Sequence, residues 1–286
     1  MATTIEHRTI THDGVAIPVS RGGTGRPLVL CPGLTSTQAE LSELIGLLRR
    51  DHEVVSFDLR GHGRTSAGAV YAFEAFLGDF RAVMTELVRD GLAEPPVLVG
   101  HSYGADVIAH YAAESSGSIA RLVLIDGANP IPTPFITAAD LPGFRALWED
   151  AARERQAVAD PARRVVLTGR EILELNLEID RMRSGLDLDN AVLDNAVVGS
   201  GIIDRYRAIG CPITMIMSTS MAGSGDDAGS RRYNGLWRAG VQRLVREFPH
   251  IATSWLDADH GLVVTHAPEI ARIIRDTRAA DGRPPS

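Results

Sequence analysis

Gly100-His101-Ser102-Tyr103-Gly104 sets one hydroxyl between two glycines, where an apolar run from Pro96 to Val99 gives way to a helix-like run from Ala105. A serine so placed is a candidate nucleophile. The flanking glycines remove the Cβ crowding that opposes a sharp strand-to-helix turn. The serine can then be held in a costly backbone conformation with its Oγ clear of the sheet. The same turn puts the Tyr103 amide at a helix start, where an unpaired N–H and the positive end of the helix dipole can stabilise a developing oxyanion. A Gly-x-Ser-x-Gly in a flexible loop does none of this, so the preceding strand and following helix carry the catalytic reading.

A serine hydroxyl is a weak nucleophile at neutral pH and needs a base within hydrogen-bond reach, with a third group to orient that base. Of the nine histidines, His260 follows the last strand-like run in Leu256-Asp257-Ala258-Asp259-His260-Gly261. From there it can reach the carboxyl edge of a parallel sheet, the edge at which such sheets bind ligands. His266 is the nearest rival. His101 is expected to point away from the site, and His7, His12, His52 and His250 lie in a hairpin or at element ends. Asp257 and Asp259 adjoin His260, yet adjacent side chains at a strand end turn apart.

The elements that must position these groups alternate in type. Ile5 to Ile10 and Val15 to Ser20 read as a hairpin about Asp13-Gly14. Pro27 to Cys31 is continuously apolar, as expected of a strand covered on both faces. Then come a helix over Ser36 to Arg50, a strand over Glu53 to Phe57, a helix over Phe73 to Arg89, the Pro96 strand, the Ala105 helix and a strand over Arg121 to Ile125. This order predicts a parallel sheet with crossover helices. Residues 127–209 break the pattern with a proline-rich entry and charge-laced helices over Arg145 to Ala159 and Glu171 to Arg183, and read as a helical cap inserted into a core of 1–126 and 210–286. The core resumes with a strand over Ile213 to Ser218, a long loop over Met221 to Arg232, a helix over Leu236 to Phe248, a strand over Ile251 to Leu256 and a closing helix over Pro268 to Arg278. The tail, 281–286, is expected to fray.

The 286 residues are 44% hydrophobic and 23% charged, an ordinary globular composition. A net charge of −7 argues against a nucleic-acid partner, which would meet basic patches. No apolar run approaches the roughly 20 residues of a membrane span, and Met1 to Ile10 lacks the pattern of a secretory signal. Cys31 and Cys211 have neither metal-ligand spacing nor disulfide density. A cytoplasmic protein with a small-molecule substrate is expected; nothing in the sequence sets an oligomeric state.

Together, the Gly100 elbow, Cys31-Pro32-Gly33-Leu34, the stretch Asp58-Leu59-Arg60-Gly61-His62-Gly63-Arg64-Thr65-Ser66, and Asp259-His260-Gly261 resemble the α/β-hydrolase superfamily over nearly the whole chain outside the cap. The resemblance implies an α/β fold with a mostly parallel eight-stranded sheet flanked by helices. It implies that the Leu34 amide joins that of Tyr103 in an oxyanion hole, Pro32-Gly33 standing where relatives commonly have His-Gly. Arg60 and His62 would brace the site without being catalytic. In most relatives the acid follows the seventh strand, which points here to Asp226 or Asp227 beyond a glycine-loosened loop. In others, including haloalkane dehalogenases, it ends the sixth strand, where Asp126 lies 24 residues past Ser102. A rigid strand end holds an imidazole better than a loop does, so Asp126 leads and Asp226 and Asp227 are the alternatives. The implied activity is hydrolysis of a small to medium-sized organic ester, lactone, thioester or amide through an acyl-enzyme on Ser102, with no metal or organic cofactor. A carboxylic ester is the leading substrate, and serine at the elbow argues against dehalogenation. Two rivals use the same fold: a lyase or cyclase with His260 as acid-base group, and a non-catalytic small-molecule receptor.

Overall fold

The computed structural model describes residues 4–115, 117–185 and 201–281, so residues 186–200 of the expected cap and the tail from 282 lie outside it. Eight strands form one sheet: β1 (Glu6–His12), β2 (Val15–Gly23), β3 (Arg26–Cys31), β4 (His52–Phe57), β5 (Val97–His101), β6 (Arg121–Ile125), β7 (Ile213–Ser218) and β8 (Ala252–Leu256), in the spatial order β1-β2-β4-β3-β5-β6-β7-β8. β1 and β2 pair antiparallel, as do β2 and β4, and every later pairing is parallel.

The continuous apolar runs are buried on both faces, and alternate residues serve different cores. Val29, Cys31, Leu98, Leu122 and Leu124 pack on the side of α2 (Phe73–Arg89) and α3 (Tyr103–Glu114), after α1 (Ser42–Leu48) in the chain. Leu28, Leu30, Val97, Val99, Val123 and Ile125 face the opposite core with Leu44 and Leu48 of α1. Edge strand β1 is mostly exposed.

Between β6 and β7 run α4 (Leu141–Ala157), α5 (Gly169–Ser184) and α6 (Ile202–Ala208). α5 opens on a capping box, Thr168 with Glu171, and ends at Gly185 in the left-handed region, φ 71°. Its charged residues tie it down. Glu178 accepts the Phe73 N–H at the start of α2, Asp180 accepts those of Phe135 and Ile136, and Arg183 reaches Asp106 of α3. The remaining helices are α7 (Ala228–Glu247), α8 (Leu262–Thr265) and α9 (Ala267–Asp281). Among the described residues, no helix is long and apolar enough to cross a membrane.

Two expectations need correcting. α1 starts at Ser42 rather than Ser36, because the segment before it turns to meet Asp58, whose carboxylate accepts the Gln38 N–H at 2.7 Å. α7 begins inside the stretch read as a loop to Arg232. Asp227 accepts the Ser230 N–H at 2.9 Å and caps a helix whose inward residues Trp237, Val241 and Leu244 are buried.

Candidate active site

The strand ends bring the polar groups together. Ser102 leaves β5 with φ 51° and ψ −119°, a conformation L-residues rarely adopt. Two close approaches hold the turn. A methyl group at Gly104 would lie 2.4 Å from the carbonyl oxygens of Cys31 and Pro32, and one at Gly127 would lie 2.2 Å from the Ser102 carbonyl. Glycine is required at both positions for want of space. The ladder continues through the turns, with Ser102 N–H donating to the Ile125 carbonyl and Asp126 N–H to that of Ile216, each at 2.9 Å.

Ser102 Oγ and His260 Nε2 are 2.8 Å apart, and His260 Nδ1 is 2.8 Å from Asp126 Oδ2. Asp126 is fully buried, with φ 46°. Its Oδ2 also accepts the Ser218 hydroxyl at 2.7 Å, while Oδ1 accepts the Ser218 N–H at 3.0 Å and the Trp237 indole N–H at 2.8 Å. Four donors thus fill the roughly four lone-pair sites of an ionised carboxylate. Burial by itself would raise this carboxyl's pKa, but the His260 and Ser218 hydrogen bonds and the nearby imidazole charge hold it below the usual range. A carboxylate so occupied has no room for a proton. It can fix the imidazole tautomer and stabilise imidazolium without taking the charge away.

Tyr103 is the first residue of α3, and neither its amide nor that of Leu34 has an acceptor among the described residues. The Leu34 loop is held from behind: the adjacent Thr35 N–H donates to His62 Nε2 at 3.1 Å, and His62 Nδ1–H donates to the Arg60 carbonyl at 2.8 Å. Burial lowers the His62 pKa to about 4, so it stays neutral with Nε2 free to accept. Arg60 acts farther off, in a two-bond pair with Asp79 of α2.

His101, expected from its place on the elbow to point away, is not among the described cavity walls, yet it packs against His260. Its ring lies 5.1 Å from that of His260, and its Nε2–H donates to the His260 carbonyl at 3.2 Å. Burial and the neighbouring His260 push its pKa down to about 3. Asp227, the alternative acid, is committed to the α7 cap. Asp226 is exposed, its carbonyl accepting from Arg231, so neither alternative holds His260. His266 is turned to Thr265.

Sequence reading missed Ser218, Trp237, His101 and Arg183. Only Ser218 carried a signal, as a polar residue closing the apolar run Ile213 to Met217 at the binding edge of the sheet. Ser102 and His260 open into a cavity of about 500 Å3 whose walls include Leu34, Phe135, Trp148, Tyr233 and Trp237. Among the described residues, no three His, Cys, Asp or Glu side chains gather where they could hold a metal ion.

Comparison with known proteins agrees with this architecture. A family model described as "Alpha/beta hydrolase family" matches residues 28–273. A non-heme haloperoxidase of Rhodococcus erythropolis is 30% identical over 191 residues, 64% of each chain. An N-formylmaleamate deformylase of Pseudomonas putida is 30% identical over 172 residues, 52% of this chain and 63% of that protein. The chain thus spans less than two thirds of these relatives' length. Among solved structures, the esterase EaEST from Exiguobacterium antarcticum superposes with a TM-score of 0.68 at 14% identity, over 97% of this chain and 99% of that one. The haloalkane dehalogenase DbeA from Bradyrhizobium elkani gives 0.67 at 17%, over 97% and 98%. The extent of the family match is decisive, and the chain belongs to the alpha/beta hydrolase family.

Proposed function

We propose that the chain is a serine hydrolase that cleaves a small to medium-sized organic ester, lactone, thioester or amide, an ester first, through an acyl-enzyme on Ser102. The observation that carries this reading is the unbroken chain from Ser102 Oγ to His260 to Asp126, with both links at 2.8 Å. Ser102 Oγ bonds to the substrate carbonyl carbon as its proton passes to His260 Nε2. The carbonyl electron pair moves to oxygen, facing the Leu34 and Tyr103 amides. Collapse of this intermediate breaks the bond to the leaving group, which departs with the His260 proton. Water then repeats the sequence on the acyl-enzyme and releases the acid, returning the proton to Ser102. Asp126 remains ionised throughout. The helices between β6 and β7 act as a cap over the cavity.

The test is a serine-reactive fluorophosphonate followed by mass spectrometry, together with turnover of a panel of esters, lactones, thioesters and amides. An adduct on Ser102 that blocks turnover is expected. No adduct, with wild-type turnover by Ser102→Ala, would overturn the acyl-enzyme and leave acid-base chemistry by His260 as the alternative.

A further inference from the structure

Arg183, near the end of α5, is the arginine among the described cavity walls, and like the wall residues Asp180 and Asp227 it has no part in the proposed chemistry. Its side chain is 11% exposed and lies in the cavity wall. Its Nε donates to Asp106 Oδ1 at 3.0 Å and its Nη2 to Asp106 Oδ2 at 2.5 Å, a fork-to-fork pair. The guanidinium also lies over the Trp237 ring, 5.4 Å from its centroid. Two edge bonds and a face contact fix both its position and its plane. An ion pair that only fastened α5 to α3 would need no more than Nε and Nη2. Nη1 has no partner among the described residues, in a side chain that borders the cavity.

The surroundings say what Nη1 would bind. Phe135 lies 5.7 Å from Tyr233 and 5.8 Å from Trp237, ring centre to ring centre, giving an aromatic wall. Against such a wall a pre-oriented N–H donor rewards a ligand acceptor and discriminates against a ligand lacking one. The guanidinium charge is already matched by Asp106, with Asp180 and Asp126 acting on it as further anions. A ligand carboxylate would add a fourth negative group. A neutral oxygen would not.

We propose that Arg183 is a specificity-determining residue: the substrate carries a second, neutral carbonyl-type oxygen, apart from the scissile group, that accepts from Nη1 while its apolar body lies on the Phe135–Tyr233 wall. This inference rests on the acyl-enzyme reading of the same site.

The test compares kcat/KM for matched 4-nitrophenyl esters: pentanoate with 4-oxopentanoate, hexanoate with 5-oxohexanoate, heptanoate with 6-oxoheptanoate, and the glutarate monoester as the charged analogue. Butyl and 3-oxobutyl hexanoate probe the alcohol side. In at least one pair the keto substrate should be favoured by about tenfold, mostly through KM because the contact is remote from the reacting bond, and the glutarate monoester should fall below its neutral counterpart. The double variant Asp106→Asn/Arg183→Gln keeps a neutral amide pair in place of the buried ions, and fluorophosphonate labelling reports whether its site is folded. In this variant the keto preference should fall toward one. Ratios within twofold for every pair, a preference for the glutarate monoester, or a keto preference that survives in the labelled double variant would each overturn the proposal. If wild-type Ser102 labels while the ratios are flat, only this inference fails; if Ser102 does not label, the acyl-enzyme reading fails and takes it along.

Discussion

Trp237→Phe removes one hydrogen bond to the Asp126 carboxylate while keeping an aromatic ring in the cavity wall. The indole N–H is one of four donors to Asp126, at 2.8 Å, and the residue is 1% exposed. A hydrogen bond to a charged group contributes about 1.5–3 kcal/mol, and the two Ser218 donors remain to limit the loss. The variant should therefore be less stable by about 2 kcal/mol, read by urea unfolding at pH 7. The electrostatic consequence is more diagnostic. With one donor gone the Asp126 carboxyl is held less far below its usual range, so the acid limb of the kcat/KM–pH profile should move to higher pH. A cavity in the wall would change KM but leave that limb in place. A variant whose pH profile superimposes on wild type and whose unfolding free energy lies within about 0.5 kcal/mol of it would refute the assignment of the indole as a support of the acid.

Asp126→Asn should lower kcat by about 10³- to 10⁴-fold, because an amide in that position favours the wrong imidazole tautomer. Asp227→Asn, which touches the α7 cap and not His260, should leave kcat within about threefold; the reverse ranking in a steady-state assay would return the acid to the loop. A second expectation concerns pH. Burial lowers the pKa of His62 to about 4, and burial with the His260 charge lowers that of His101 to about 3. Both lie below the roughly 6.5 of an unfolded histidine, so below pH 6.5 the unfolded chain binds more protons and stability falls toward pH 4. Each ring costs about 2 kcal/mol between pH 7 and pH 5, about 4 kcal/mol together. Buried His110 adds in the same direction, and Asp126 adds lower still, near the ordinary carboxylate range. Urea unfolding at pH 7, 6 and 5 measures the slope; a loss below about 1 kcal/mol would mean that these rings take up protons within the fold.

The sheet was legible because apolar runs buried on both faces have no periodicity to misread, and β3, β5, β6 and β7 appear where those runs lie. Ser102 was legible for a related reason, since it follows such a run between Gly100 and Gly104, and His260 because it comes just after the last strand and before Gly261. The start of α7 was hidden because Ala228-Gly229-Ser230 has loop composition, and the helix there depends on the Asp227 cap and on burial of Trp237 from a distance. Trp237, His101 and Arg183 lay beyond reading because their roles are contacts with residues 111, 159 and 77 positions away, respectively. No local pattern records a pairing of that kind. Asp126 fell between, since its position at a strand end was visible but its four donors were not.

The hydrogen-bond ladder that runs through the turns at Ser102 and Asp126 makes strand register the ruler for the proposed catalysis. The proposed nucleophile, Ser102, hangs from β6 by the Ile125 carbonyl, and the proposed acid, Asp126, hangs from β7 by that of Ile216. A slip of one residue along either strand would carry a reacting group about 3.3 Å out of reach, farther than a hydrogen bond can stretch. On the proposed mechanism, a chain with its helices formed and its central strands not yet locked would hold Ser102, His260 and Asp126 and do no chemistry, so recovery of turnover on refolding would report the middle of the sheet.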